Sequence, residues 1–370
     1  MARIIDGDGH IVEPPDLWLQ YTASSYHDRV PQIVMTAEGM ACMQLEGAVR
    51  SGAVRSAYAS CVPAGLMEAD RSKQVHFDDV PHGGYDPHAR VAVLDQEGIE
   101  AAFLYPSIGL GLGHLTDLDL AAVCARAYND WLADFCQPYP NRLFGVGMMP
   151  LQDVDASVYE MRRVVRDKGM KAVFIRPNPY NNRRLNDPAY DSFWQTAQEL
   201  DCAVAIHGSF NSRMPTVGSD RYPDEFFQHM ICHPFEQQMA CMDLVCGGVL
   251  AKYPRLRVAF MEAGVGWLGY WLERMDGHYE SMPMYVPWLQ RKPSEYFLSQ
   301  CFLSCDPDDA TISSMMEFGG DTTIIWGSDY PHFDCTFPDA VGELVENCSR
   351  LTDAQRTAVV GENAARLYHI

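Results

Sequence analysis

The stretch RIIDGDGHIVEPPDLW, residues 3–18, leads from Ile4 and Ile5 straight into Asp6, Asp8, His10 and Glu13. Asp8 and His10 are two apart, and on a β-strand that spacing sends both side chains to one face. A carboxylate and an imidazole on one rigid strand make half of a mixed nitrogen–oxygen metal site. Other apolar runs end in the same kind of residue. KAVFIR closes on Arg176, CAVAIH on His207 and RVAFME on Glu262, while TIIWGS leads to Asp329, with His332 and Asp334 behind it. His233 is placed at the start of a helix. A single histidine at a strand end ordinarily serves local structure, and a single aspartate there often caps a helix. Asp329 could do so, and Asp6 fits that role better still. The joint placement points elsewhere, because buried ionised groups need a partner and a metal supplies one. Asp8, His10, His207 and Asp329 would hold Zn, Mn or Fe without a thiolate. Arg176 could clamp a substrate carboxylate bidentately, or pair with an acidic neighbour.

These residues need a scaffold that brings strand ends together. Candidate strands fall at 3–8, 100–105, 143–148, 171–176, 202–207, 257–262, 300–304 and 323–328. Helical patterns fall near 117–138, 153–168, 188–200, 234–252, 266–280, 308–318 and 338–347. Strands alternating with helices argue for a parallel sheet with helical crossovers. Eight such units predict a (β/α)8 TIM barrel, whose chemistry collects at the C-terminal strand ends. An open doubly wound sheet is disfavoured because no GxGxxG follows the first strand. Two connections are long, 14–99 after the first strand and 208–233 after the fifth. Such segments usually form lids or binding loops. The first contains a hairpin pattern, PQIVMTAEGMACMQLEG, turning at Glu38-Gly39. With no repeat and no second core visible, one domain over 1–370 with an elaborated mouth is expected. The glycine-rich YPSIGLGLGHL lacks the Lys-Ser/Thr of a phosphate loop. It reads as a substrate-lining loop, with His114 a candidate contact.

The totals narrow the classes. There are 28 Lys+Arg against 49 Asp+Glu, a net charge of −21. That balance disfavours nucleic acid and anionic membrane surfaces. No window approaches the ~20 apolar residues of a membrane span, and no secretory leader is expected from Met1-Ala2-Arg3. The 12 cysteines are scattered with no CxxC pair, which suggests reduced thiols in the cytoplasm.

DGDGH, AIHGS, HPFEQQMA, RVAFMEAGVGW and WGSDYPH together resemble the amidohydrolase-related family that includes aminocarboxymuconate-semialdehyde decarboxylase. The resemblance runs from the first strand to GENAARLY near the C-terminus. It implies a metal-dependent TIM barrel with Asp8, His10, His207 and Asp329 on ligand positions. His233 falls on the position of a histidine that handles protons or activates water. Three departures stand out. Asp8-x-His10 replaces the family's frequent HxH, which makes a harder ion such as Mn or Fe plausible. Glu262-Ala-Gly264 stands where the decarboxylases tend to carry His-x-Gly. Glu13 is an added carboxylate. The fourth strand has no lysine at its end, Lys171 beginning it, so a carbamylated-lysine site is disfavoured.

Glu13 and Glu262 have two readings. They orient ligand histidines, or they join His10, His207, His233 and Asp329 around two ions sharing a bridge. The first predicts decarboxylation or hydrolysis of a carboxylated small molecule, with His233 and Asp329 in the chemistry and Arg176 as anchor. The second resembles a non-haem di-iron monooxygenase hydroxylating a hydrophobic, CoA-linked acyl substrate. A binding protein without chemistry is disfavoured by the intact ligand set. The resemblance also implies a homodimer.

Overall fold

The computed structural model describes residues 3–45, 48–49, 56–63, 75–209 and 214–370. All eight expected strands form: β1 Ile5–Ile11, β5 Ala101–Pro106, β6 Leu143–Met148, β7 Ala172–Ile175, β8 Ala203–His207, β9 Val258–Met261, β10 Cys301–Cys305 and β11 Ile324–Trp326. Their order is β1-β5-β6-β7-β8-β9-β10-β11 and the pairings are parallel. Helices on the outside and side chains filling the middle bury both faces of the sheet. That is why these strands read as continuous apolar runs rather than alternating ones. The result is a TIM barrel, nearly closed between β1 and β11.

Closure falls at the residues of the opening motif. Asp329 N–H donates to Asp8 O at 2.9 Å, and His10 N–H donates to Tyr330 O at 2.8 Å. Asp6 accepts from Ser328 N at 2.9 Å and from Ser328 Oγ at 2.6 Å. Asp6 therefore laces β1 to the chain beyond β11 and caps no helix. Beside it lies Arg90, which is completely buried. Arg90 Nη1 donates to His10 O at 2.8 Å, and Nη1 and Nη2 reach Tyr330 O at 3.3 and 3.4 Å. The strand register slips between Asp6 and Gly9, and space there is tight. A Cβ on Gly9 would lie 2.7 Å from both Arg90 Nη2 and Asp6 Oδ2, and one on Gly327 only 2.2 Å from Asp8 Cβ.

The 14–99 segment holds the expected hairpin. β2 Gln32–Met35 pairs antiparallel with β3 Ala41–Leu45, and Gly39 takes φ +78° in the turn. A short β4, Ala48–Val49, completes a three-stranded sheet. Beneath it Val12, Ala41, Tyr58, Cys61, Val62, Val75 and Val80 form a satellite cluster apart from the main core. No second core was expected, because these residues meet only when the hairpin folds back over the barrel. The same segment carries the helix Pro87–Glu97, which supplies Arg90.

Two helix boundaries differ from expectation. The helix placed at 234–252 runs Glu225–Val245 and passes through Pro234. Proline is favoured in a first turn, which made Pro234 look like a start. Here Asp224 is the cap, accepting from Phe227 N, so His233 sits in the third turn. The segment 308–318 breaks into two single turns, Ile312–Met315 and Met316–Phe318. Among the described residues no helix is long and apolar enough to cross a membrane.

Gly327→Ala tests this closure. Driving a methyl group into Asp8 is expected to cost about 1–3 kcal/mol of stability and to weaken divalent-ion binding. Denaturant unfolding and ion titration read both, and a variant of unchanged stability would show that the two strands are not in close contact.

Candidate metal centre

Four ligand-type side chains from β1, β8 and the loop after β11 converge inside the mouth. His10 and His207 are fully buried and Asp8 and Asp329 nearly so. His10 Nε2 lies 3.2 Å from His207 Nε2, 3.2 Å from Asp329 Oδ1 and 3.7 Å from Asp8 Oδ1. His207 Nε2 lies 3.3 Å from Asp8 Oδ1. Four ligands at ~2.1 Å from a tetrahedral metal sit about 3.4 Å from one another. The observed spacings bracket that edge.

The protonation pattern fits the same centre. His10 Nδ1 contacts Pro106 O at 2.8 Å and His207 Nδ1 contacts Gly208 O at 2.9 Å. A carbonyl accepts only, so each ring carries its proton on Nδ1 and turns an Nε2 lone pair inward. Two lone pairs 3.2 Å apart, with a carboxylate on either side, repel one another unless a cation lies between them. Asp8 Oδ1 accepts no hydrogen bond although buried, while Oδ2 accepts from Ser304 Oγ at 3.2 Å. Burial, with His332 and His207 nearby, pushes the His10 imidazole well below its usual pKa. Burial and then Asp334, Asp8 and Asp306 hold the Asp329 carboxyl well above the usual range. These residues fit a divalent ion.

Asp329 and Glu262 both take φ +52°. Left-handed backbone is uncommon outside glycine, and at strand ends it marks side chains aimed by their surroundings. Glu262 N–H donates to Ser304 Oγ at 2.8 Å, so Ser304 braces Glu262 and Asp8 together. Glu262 Oε2 lies 3.6 Å from His207 Nδ1 and Oε1 3.4 Å from His233 Nδ1. Burial, followed by the charges of Asp329, Asp334, Asp8 and Asp306, raises the Glu262 carboxyl well above its usual range. Burial, then His229 and His207, lowers the His233 imidazole.

Two expected site residues are placed elsewhere. Glu13 accepts from the backbone N–H groups of Ser107, Ile108 and Gly109 at 3.3, 2.9 and 2.8 Å. Both its oxygens hold the loop after β5 and neither joins the cluster. Arg176 is buried, and its guanidinium donates to Leu110 O at 3.0 Å, Asn178 Oδ1 at 3.0 and 3.3 Å and Ser209 O at 2.8 Å. Those acceptors are protein oxygens, so Arg176 ties the loops after β5, β7 and β8 in place of the substrate clamp expected of it. His114, the candidate contact, turns Nδ1 to Gly111 O in its own loop.

Other residues join the site without having been singled out. His332 Nδ1 meets Asp329 Oδ1 at 2.8 Å and its Nε2 meets Ser107 Oγ at 2.9 Å. Ser107 Oγ donates to Ile11 O at 2.8 Å, so it accepts from His332. His332 thus steers Asp329 toward His10. His229 stands one turn before His233, with ring centroids 4.5 Å apart. The i, i+4 spacing of these two was visible, but only once the helix is known to start at Glu225. Nothing in the sequence marked Ser107 or Ser304.

Fold and site define a barrel enzyme with a strand-end centre for a divalent metal. The Amidohydrolase family model matches residues 5–370, and the chain belongs to that family. It is 25% identical over 292 residues to 2-amino-3-carboxymuconate-6-semialdehyde decarboxylase of Dictyostelium discoideum, covering 78% of each chain. Among solved structures, an amidohydrolase from Mycobacterium avium subsp. paratuberculosis K-10 superposes with TM-score 0.82 at 20% identity, over 100% of this chain and 98% of that one. A dihydroxybenzoic acid decarboxylase from Polaromonas sp. JS666, with bound manganese and the inhibitor 2-nitroresorcinol, superposes with TM-score 0.67 at 18% identity, over 100% and 97%. At those identities the two structures establish the fold.

Ion binding should depend on pH with a definite sign. The Asp329 carboxyl, held above its usual range, must lose its proton to become a ligand. Falling pH therefore restores a competitor, and affinity for Mn2+ drops as pH falls from 8 toward 5. Calorimetric titration of the metal-free protein measures this, and a flat profile would contradict it. His207→Ala should lower affinity at every pH by at least tenfold. A variant that binds like the wild type would remove His207 from the centre.

Proposed function

We propose that this enzyme decarboxylates a carboxylated organic acid, with an aromatic acid the preferred class, at one divalent ion held by Asp8, His10, His207 and Asp329. The facing Nε2 atoms of His10 and His207, 3.2 Å apart, carry this reading. Two decarboxylases stand among the relatives described above, one of them binding manganese. The oxygenase alternative finds no counterpart among them.

When bound, a divalent ion supplies a Lewis acid that polarises a substrate oxygen and draws negative charge off the reacting carbon. Loss of carbon dioxide leaves an electron pair on that carbon, which takes a proton. Glu262 and His233 supply it. A carboxyl raised well above its range beside an imidazole lowered well below its own keeps a proton between the two groups, available to either. His233 stands at the substrate side of that pair and delivers the proton. Ser304 and His332 fix the directions of Glu262 and Asp329 and move no proton themselves. The carboxylates of Asp306 and Asp334 keep the mouth anionic, so substrate binding rests on the ion.

The enzyme acts as a homodimer through the outer face of the helix Glu225–Val245. Phe235, Met239 and Met242 are exposed there at i, i+4 and i+7. All twelve cysteines are free thiols, which supports a reducing compartment, the cytoplasm.

Manganese-loaded enzyme should release carbon dioxide from hydroxybenzoic acids at equal rates with and without oxygen. His233→Asn should lower kcat by about 10²–10⁴-fold while the first equivalent of manganese stays bound. Hydrolysis without carbon dioxide, or a rate that needs oxygen, would refute the reading. Phe235→Glu should halve the mass seen by light scattering, and an unchanged mass would remove this face from the dimer.

A further inference from the structure

We propose a second, weaker divalent-cation site formed by His229, His233 and Glu262, whose filling withdraws His233 from proton transfer. One ligand atom from each of these residues lies within 4.8 Å of the others, and none of the three belongs to the Asp8, His10 and His207 group. His229 and His233 are four apart on one helix, so their rings share a face, and Glu262 reaches that face from the end of β9. Its carboxylate stands between the two groups, with Oε1 3.4 Å from His233 Nδ1 and Oε2 3.6 Å from His207 Nδ1. Asp334 Oδ2 lies 3.3 Å from His229 Nε2 and adds an outer carboxylate. Two imidazoles and a carboxylate suit Zn, Mn or Fe.

The charge balance favours the same conclusion. One divalent ion neutralises Asp8 and Asp329. Glu262, Asp306 and Asp334 remain close enough to act on one another. His229 is partly exposed, with 29% of its side chain accessible, so an ion can enter from the mouth and the ring can turn to meet it. Drawing His233 and Glu262 onto an ion takes away the pair that shares the proton. The consequence for activity rests on the decarboxylation reading, whereas the site itself does not.

Metal-free full-length protein is titrated with Mn2+, followed by calorimetry, by metal content after desalting and by electron paramagnetic resonance. Two classes of ion are expected, the weaker broadening the signal of the tighter one through close approach. Glu262→Gln and His229→Ala should each abolish the weaker class and leave the tighter. Carbon dioxide release should rise with the first equivalent and fall several-fold as the second class fills, and His229→Ala should lose that fall. One ion per chain at saturation, or a weaker class that survives both substitutions, overturns the site. Activity that stays level while the second class fills overturns the withdrawal of His233. Two classes with no carbon dioxide from any acid would uphold the site and refute decarboxylation.

Discussion

Two imidazole lone pairs facing each other across 3.2 Å inside a protein are the constraint on which the rest depends. Backbone carbonyls at Pro106 and Gly208 fix the Nδ1 protons of His10 and His207, so neither ring can relieve the contact by changing tautomer. Asp8 and Asp329 add negative charge at the same point. Such a cluster is unfavourable by itself in a low-dielectric interior and becomes favourable around a cation. The fold therefore holds the ligands in place against their mutual repulsion. This is a site assembled in advance of its ion.

What holds them is the seam of the barrel. Ser328 on Asp6, Arg90 on the carbonyls of His10 and Tyr330, and the two backbone hydrogen bonds between β1 and the chain after β11 all lie within a few residues of Asp8, His10 and Asp329. Glycine at 9 and 327 lets the two segments approach. Barrel closure and metal geometry are thus one structural feature, and a change that loosens the seam moves three ligands together. Glu13, Arg176 and His332 extend the principle outward. Each is buried, and each ties a mouth loop or a ligand to a neighbouring element.

Much of this was legible in the sequence, for a physical reason. Parallel strands buried on both faces leave uninterrupted apolar runs, and the eight runs mark the eight strands to within a few residues. Polarity follows from the fold, so an ionisable residue at the end of a run is at the mouth. That logic brings Asp8, His10, His207, Glu262 and Asp329 together in one place. It fails where the partner of a side chain is decided by loops. Glu13 looked like a ligand because its three backbone donors lie 94 to 96 residues away. Arg176 looked like an anchor because its acceptors are main-chain and amide oxygens that no pattern marks. Pro234 hid the true start of its helix, and with it the pairing of His229 with His233.

Glu262 separates this chain from the family pattern in which a histidine tends to stand at that place. A carboxylate there changes the proton inventory of the pocket, because it faces His207 on one side and His233 on the other. The chemistry is then set by how one buried proton is shared between Glu262 and His233.

A crystal structure of the protein loaded with one equivalent of manganese, with the ion located by anomalous scattering, tests the central claim most directly. The account predicts a single strong peak about 2.1–2.3 Å from Nε2 of His10 and His207 and from carboxylate oxygens of Asp8 and Asp329. A peak elsewhere, or those four side chains turned away from it, would contradict it.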